Sequence, residues 1–423
     1  MQSRERVEAA LAHRQPDRPP IDLGSTAVTG IHVTMVHRLR QALGLPTSGE
    51  HRVKVVEPYQ MLGEVAGDLA EALGVDCVGL GMRRNLFGFE NTGWKPWTWF
   101  GGIEMLVPAA FNTKPEPSGE LLQYPEGDRT APPSGRMPVG GFYHDTIVRQ
   151  PPIDDDTVLR VEDNLEEFGP VSDEDLADLA RAARHLWEET PYALVGSFGG
   201  TAFGDIALVP APFLKNPRGI RDIEEWYVST VSRREHVREI FARQCEIALG
   251  NLERIRQAVG NRVAAVFLTG TDFGTQRGLF LSAKTYRDLY KPFHVAVNRR
   301  IHEKTPWKTF IHSCGSVVDL IGDFIDAGFD VLNPVQTSAA GMDPRRLKKE
   351  FGASIVFWGG GVDTQKTIAF GTPEDVYREV RERIDIFGPG GGFVFNAVHN
   401  IQANTPTENI LAMFDALRAS AVS

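Results

Sequence analysis

The sequence predicts an α/β protein of the (β/α)8 TIM-barrel class, and three observations carry the prediction. Eight short apolar runs recur along the 423 residues, and helical segments with start and stop signals separate them. No Gly-x-Gly-x-x-Gly fingerprint follows the first run. Strands alternating with helices build parallel sheets, and eight such units close into a barrel. A doubly wound open sheet is the alternative that the same alternation allows.

Residues 3–13 form an amphipathic helix, stopped by Pro16 and the Pro19-Pro20 pair. Residues 21–24 are the first strand. A polar helical region through 35–40 and a helix over 68–74, closed by Gly74, lead to the second strand at 75–80. From 83 to 153 the character changes. Trp94, Trp97, Trp99 and Phe100 cluster among prolines and glycines, which reads as an insertion of hairpins and loops within one domain spanning 1–423. Alternation then resumes with a helix over 172–189, acidic at its start as the helix dipole prefers, and a strand at 192–198. Helices to about 259 precede the strand at 264–270, and a helix over 282–304 follows it. The run Trp307-Lys-Thr-Phe-Ile-His312-Ser-Cys314-Gly315 is the fifth strand with its exit. Ser316 and Asp319 have the spacing of a capping box for the next helix, which Gly328 closes. Strands at 331–335, 354–358 and 392–399 complete the count. Their helices begin at Asp343, at Thr372-Pro373-Glu374-Asp375 and at Thr405-Pro406-Thr407-Glu408.

Composition bounds the function. With 42% hydrophobic and 24% charged residues the chain can bury a full core and is not globally disordered. A net charge of -10 argues against nucleic-acid binding. Three cysteines, Cys77, Cys245 and Cys314, make no disulfide framework and suit a reducing, cytoplasmic setting. The charged N-terminus is no signal peptide, and no apolar run approaches membrane-spanning length. A homodimer is compatible with this composition.

In a barrel the strand exits build the active site, and here they are polar. They carry Asp272 and Gln276, then His312 and Cys314, then Asn333 and Gln336, then Asp363 and Gln365, and last Asn396 and His399. His312 and Cys314, two apart on a strand, share a face. With His399 they offer one sulfur and two nitrogens, a donor set that suits zinc with one open position. The plain alternative is a hydrogen-bonding histidine, a buried apolar cysteine and a histidine that contacts substrate. Asp272 and Asp363 are candidates for acid/base work or substrate anchoring, with turn capping as the plain reading. Gln276, Asn333, Gln336, Gln365 and Asn396 exchange no protons and would orient a substrate.

These motifs resemble the uroporphyrinogen decarboxylase superfamily, which holds decarboxylases and cobalamin-dependent methyltransferases on one barrel. The resemblance runs from Arg4-Glu-Arg-Val-Glu-Ala-Ala-Leu and Pro16-Asp-Arg-Pro-Pro20 through Gly274-Thr-Gln276 and Tyr290-Lys-Pro292. It continues through His312-Ser-Cys314-Gly315, Asn333-Pro-Val-Gln336 and Asn396-Ala-Val-His399-Asn-Ile401. The decarboxylases carry an arginine-rich loop after the first strand that grips the substrate's carboxylates. Here that place reads Asp22-Leu-Gly-Ser-Thr-Ala-Val-Thr-Gly30, with no arginine. His-x-Cys-Gly instead resembles the methyltransferase branch, where those two residues hold zinc and a strand-eight cysteine is the usual third ligand. His399 falls at that position. The resemblance therefore implies a zinc-dependent methyltransferase. It would move methyl between a methoxy, methylamine or thiol compound and a corrinoid carried by a separate protein, which the insertion could dock. A metal-free lyase acting on a tetrapyrrole or another carboxylic acid is the second reading, and a non-catalytic tetrapyrrole-binding barrel the third.

Overall fold

Runs rich in β-branched and aromatic residues form seven parallel strands. They are Cys77–Gly81, Ala193–Ser197, Val263–Thr269, Lys308–His312, Val331–Asn333, Val356–Trp358 and Phe393–Val394. In this computed structural model, which describes residues 1–154 and 156–420, they pair in chain order as one curled sheet. The expected first strand, residues 21–24, is reduced to a bridge. Ile21 pairs with Phe395 in parallel, and its carbonyl accepts from Asp76 N at 2.8 Å. One residue thus links the two edges of the sheet. Its neighbours explain the brevity: Pro20 has no N–H to donate, and Gly24 turns the chain at φ +95°. The result is a TIM-barrel-like α/β fold.

Alternation along these strands sorts two cores. Ala193, Val195, Ala265, Phe310, Val331, Val356, Trp358 and Val394 face one another inside the barrel. Leu194, Val266, Ile311, Leu332, Phe357 and Phe393 point outward into the layer beneath the helices. Helix Ser3–Leu11 sends Val7, Ala10 and Leu11 into the inner cluster and so closes one end of the barrel. Beside it Asp76, fully buried, accepts from Arg6 Nη1 and Arg18 Nη1, each at 2.7 Å, and from Ile21 N at 2.8 Å.

Between Cys77–Gly81 and Ala193–Ser197 the chain passes through two small antiparallel sheets. One pairs Lys95–Thr98 with Glu104–Val107; the other joins Leu121–Gln123, Gly135–Met137 and Asp145–Thr146. Trp97, Trp99 and Phe111 pack edge to face or tilted, and Trp99 meets His32 at 5.1 Å. His32 caps helix Val33–Ala42. The aromatic cluster is therefore the core of this region and its seat on the barrel. A further hairpin, Val55–Glu57 with Leu62–Gly63, carries no turn signal that stands out in the sequence.

Two helix starts differ from expectation, and a third helix carries an irregular turn. The Ser316 capping box does not form. Ser316 Oγ donates to Ala340 O at 2.6 Å instead, and helix Val318–Asp326 begins at Val317 without a side-chain cap. The 282–304 helix starts as expected at Ser282, which accepts from Thr285 N, but includes a π segment over Tyr286–Tyr290. The last helix, Thr407–Arg418, is preceded by Pro406 rather than capped by Thr405.

Candidate metal centre

His312 ends its strand on the inner face, in line with Phe310, so it caps the barrel's interior core. Its partner follows from sheet register, since His312 lies opposite Asn333 on the next strand. Asn333 Nδ2 donates to Trp358 O at 2.7 Å, which turns Oδ1 toward His312 Nδ1 at 2.5 Å. That carbonyl oxygen only accepts, so Nδ1 carries the proton and Nε2 keeps its lone pair. Nε2 faces Cys314 Sγ at 3.3 Å. His399 approaches from beyond the last strand, its ring 5.5 Å from that of His312. The donor atoms of His312, Cys314 and His399 all lie within 4.8 Å of one another.

Zinc fits this set. With bonds of 2.0–2.1 Å to nitrogen and 2.3 Å to sulfur, tetrahedral ligand atoms stand about 3.3–3.8 Å apart. The His312–Cys314 pair has that spacing already. Burial holds both histidines down to about 4, His399 further opposed by the charge of His312, so both are neutral donors at pH 7. The Cys314 thiol is pushed up, chiefly by burial and then by the charge of Asp272. As a free thiol it holds its proton, which a metal would displace.

The loop bearing Cys314 is fixed from three sides. Asp272 Oδ1 accepts from Cys314 N at 2.6 Å, Ser313 Oγ accepts from Phe273 N at 2.9 Å, and Gln336 Oε1 accepts from Gly315 N at 2.7 Å. Gly274 and Gly315 lie backbone to backbone; a Cβ on Gly315 would sit 2.5 Å from the Gly274 carbonyl. Asp272, Asn333 and Gln336 thus hold the proposed ligands, a role distinct from the substrate contacts that sequence reasoning gave Asn333 and Gln336. Burial raises the pKa of Asp272, which lines the mouth beside Cys314.

The remaining candidates lie elsewhere. Asp363 Oδ1 accepts from Gln365 N at 2.7 Å and Lys366 N at 3.2 Å, the plain capping role. Asp363 also lines an open groove of about 700 Å3 with Thr337, Lys366 and Arg383, to which none of the three metal candidates contributes. Gln365 and Gln276 are exposed. Asn396 is buried; its Nδ2 donates to Asp22 O and Thr29 O, while Oδ1 has no partner among the described residues.

Two residues of the mouth were not singled out from sequence. Asp205 is buried, accepts from Ala207 N at 2.9 Å, and is raised to about 6 by burial, with the charge of Asp272 adding. Tyr227 donates from its hydroxyl to Asp272 O at 3.2 Å. The signal for Asp205 was its loop, Gly199-Gly-Thr-Ala-Phe-Gly-Asp205, a polar and glycine-rich exit from the Ala193–Ser197 strand.

Comparison with known proteins bears on the family and the fold. Residues 215–420 match the family model described as uroporphyrinogen decarboxylase (URO-D). A uroporphyrinogen decarboxylase of Psychromonas ingrahamii is 30% identical over 150 residues, 34% of this chain and 39% of that protein. One of an Azoarcus species is 34% identical over 76 residues, 18% of this chain and 20% of that protein. The chain thus aligns with well under half the length of either relative. Among solved structures, a methyltransferase from Methanosarcina mazei superposes over 99% of both chains with a TM-score of 0.54 at 15% identity, a likeness of fold.

Proposed function

From a chain that resembles the uroporphyrinogen decarboxylase superfamily and matches its family model over residues 215–420, we propose a zinc-dependent methyltransferase. It would transfer methyl between a small molecule and a corrinoid held by a separate protein. The observation that carries this reading is the convergence of His312, Cys314 and His399, with Asn333 fixing the tautomer of His312. Zinc bound there would acidify a thiol acceptor or polarise the heteroatom of a methyl donor. The chain's own groups do the rest. Asn333 orients His312, while Asp272 and Gln336 position the Cys314 loop through its backbone N–H groups. The lyase reading has the names of the two aligned relatives in its favour. Against it stands residues 22–30, which supply no arginine for a polycarboxylate substrate.

Elemental analysis of wild type and Cys314→Ser, purified side by side without chelator, tests the reading. About one zinc per chain in wild type, absent from the variant, is the expected result. A metal-free wild type, even after zinc reconstitution, would return His312 and Cys314 to packing and bring the lyase forward.

A further inference from the structure

Two of the three candidate ligands are fixed by a side chain that bonds to them directly. Asn333 Oδ1 faces His312 Nδ1, and Asp272 Oδ1 accepts from Cys314 N. His399 has no such partner: its ring nitrogens make no hydrogen bond among the described residues. Its main chain is tied on either side, at Val398 N, which donates to Val362 O at 3.0 Å, and at Ile401 N, which donates to Gly30 O at 3.0 Å. Between these anchors His399 N and Asn400 N donate to no main-chain group among the described residues.

The Asn400 side chain fills that gap. It is buried, and its amide bonds to two other segments of the chain. Oδ1 accepts from Gly30 N at 2.6 Å, while Nδ2 donates to Ala27 O at 2.8 Å and to Gln60 Oε1 at 2.7 Å. Gly30 N can only donate and Ala27 O only accept, so the amide has one orientation. Gln60 Nε2 also donates to Ala27 O, at 2.9 Å. Met61, the next residue, is buried and held at φ +56°, a left-handed conformation that a non-glycine residue keeps only where its surroundings impose it. The 22–30 loop is itself braced. Its polar side chains turn inward, Ser25 Oγ donating to Asp22 Oδ2 at 2.7 Å and Thr26 Oγ1 lying 3.0 Å from Thr29 Oγ1. Asn396 Nδ2 donates to the carbonyls of Asp22 and Thr29. A Cβ on Gly30 would stand 2.8 Å from Leu62 Cδ1, so the loop is pressed against the hairpin that carries Gln60.

We propose that Asn400 is the positioning residue of His399, with the 22–30 loop as its buttress. The inference rests on the zinc reading for what His399 holds, and its test includes a measurement without metal. Asn400→Ala is expected to weaken zinc binding about 10–100-fold, read by competition with a chromophoric chelator. In the metal-free protein, His399 of this variant is expected to react with diethyl pyrocarbonate about fivefold faster than in wild type, with peptide mass mapping to assign the site. Asn409→Ala is the control for general loosening. Buried Asn409 donates from Nδ2 to Ile368 O and Gly371 O, in a segment that carries none of the three ligands, and its loss should leave both measurements at wild-type values. A wild-type reaction rate at His399 in Asn400→Ala, or an equal acceleration in Asn409→Ala, would overturn the proposal. Where Asn400→Ala does not fold, Gln60→Ala removes one partner of the amide and is expected to give a smaller acceleration; none at all would overturn the proposal as well. A wild type that takes up no zinc but shows this pattern of reactivity retires the metal reading alone. Zinc uptake with equal His399 rates retires this inference alone.

Discussion

At the scale of single residues, the centre depends on protons placed by neighbours. Asn333 keeps one on His312 Nδ1, and burial keeps both histidines neutral above about pH 5. Of the three candidate ligands, Cys314 is the one that would have to lose a proton, since burial and the Asp272 charge hold its thiol up. Zinc binding should therefore release one proton between pH 6 and 8, and the binding constant should rise about tenfold per pH unit across that window. Calorimetry in two buffers of different ionisation enthalpy counts the protons. Two released per ion would mean that a histidine is charged in the free protein. The grouping of His312, Cys314 and His399 was legible in the sequence because all three follow strands whose exits meet at one mouth. Asp363 and Asp205 were not separable that way. Both are aspartates leaving strands, and only the folded chain shows one capping a turn and the other buried beside the mouth.

At the scale of elements, the exits of neighbouring strands are fastened to each other rather than left as free loops. The 272–276 and 313–316 segments are tied by Asp272, Ser313 and the paired glycines, with Ser316 N donating to Thr275 O at 2.7 Å. Gly315→Ala should break this junction. Its φ of +85° disfavours any side chain, and the new Cβ would collide with backbone that cannot retreat. A loss of roughly 2–4 kcal/mol is expected from strain and overpacking together. Denaturant unfolding of the variant measures it, and a loss below about 1 kcal/mol would show that the two loops part easily. The same junction shows why local sequence signals misplace some helix starts. Ser316 has a capping box's spacing, yet its hydroxyl bonds to Ala340 from the following exit. Tertiary partners outcompete local ones where loops crowd. Strand positions were readable as short apolar runs set between helix start and stop signals, since both faces of these strands are buried. The 21–24 segment looked like a strand for the same reason, but it is flanked by a proline and a left-handed glycine and keeps only one bridge.

At the scale of the molecule, closure of the sheet rests on a few buried charges. Asp76 binds Arg6 and Arg18 while accepting from Ile21 N, so it anchors the plugging helix and the bridging residue together. Asp76→Asn would leave two guanidinium groups short of one counter-charge, at a cost of about 3 kcal/mol. The shift in denaturant midpoint reads this out; a variant as stable as wild type would show that the apolar plug alone closes the barrel. Asp22 continues the fastening, accepting from Trp358 Nε1 at 2.9 Å, while its carbonyl receives Asn396 Nδ2 from 374 residues downstream. That separation has a consequence for how the protein is made. At ribosomal speeds of 5–20 residues per second, the segment around Ile21 emerges roughly 20–75 s before the strand it must meet. Its seat exists only once Phe395 has been synthesised, and His399 leaves the ribosome four residues later. The segment around Ile21 thus docks long after it has been made. The three candidate ligands come together in the same stretch of translation that joins the two edges of the sheet.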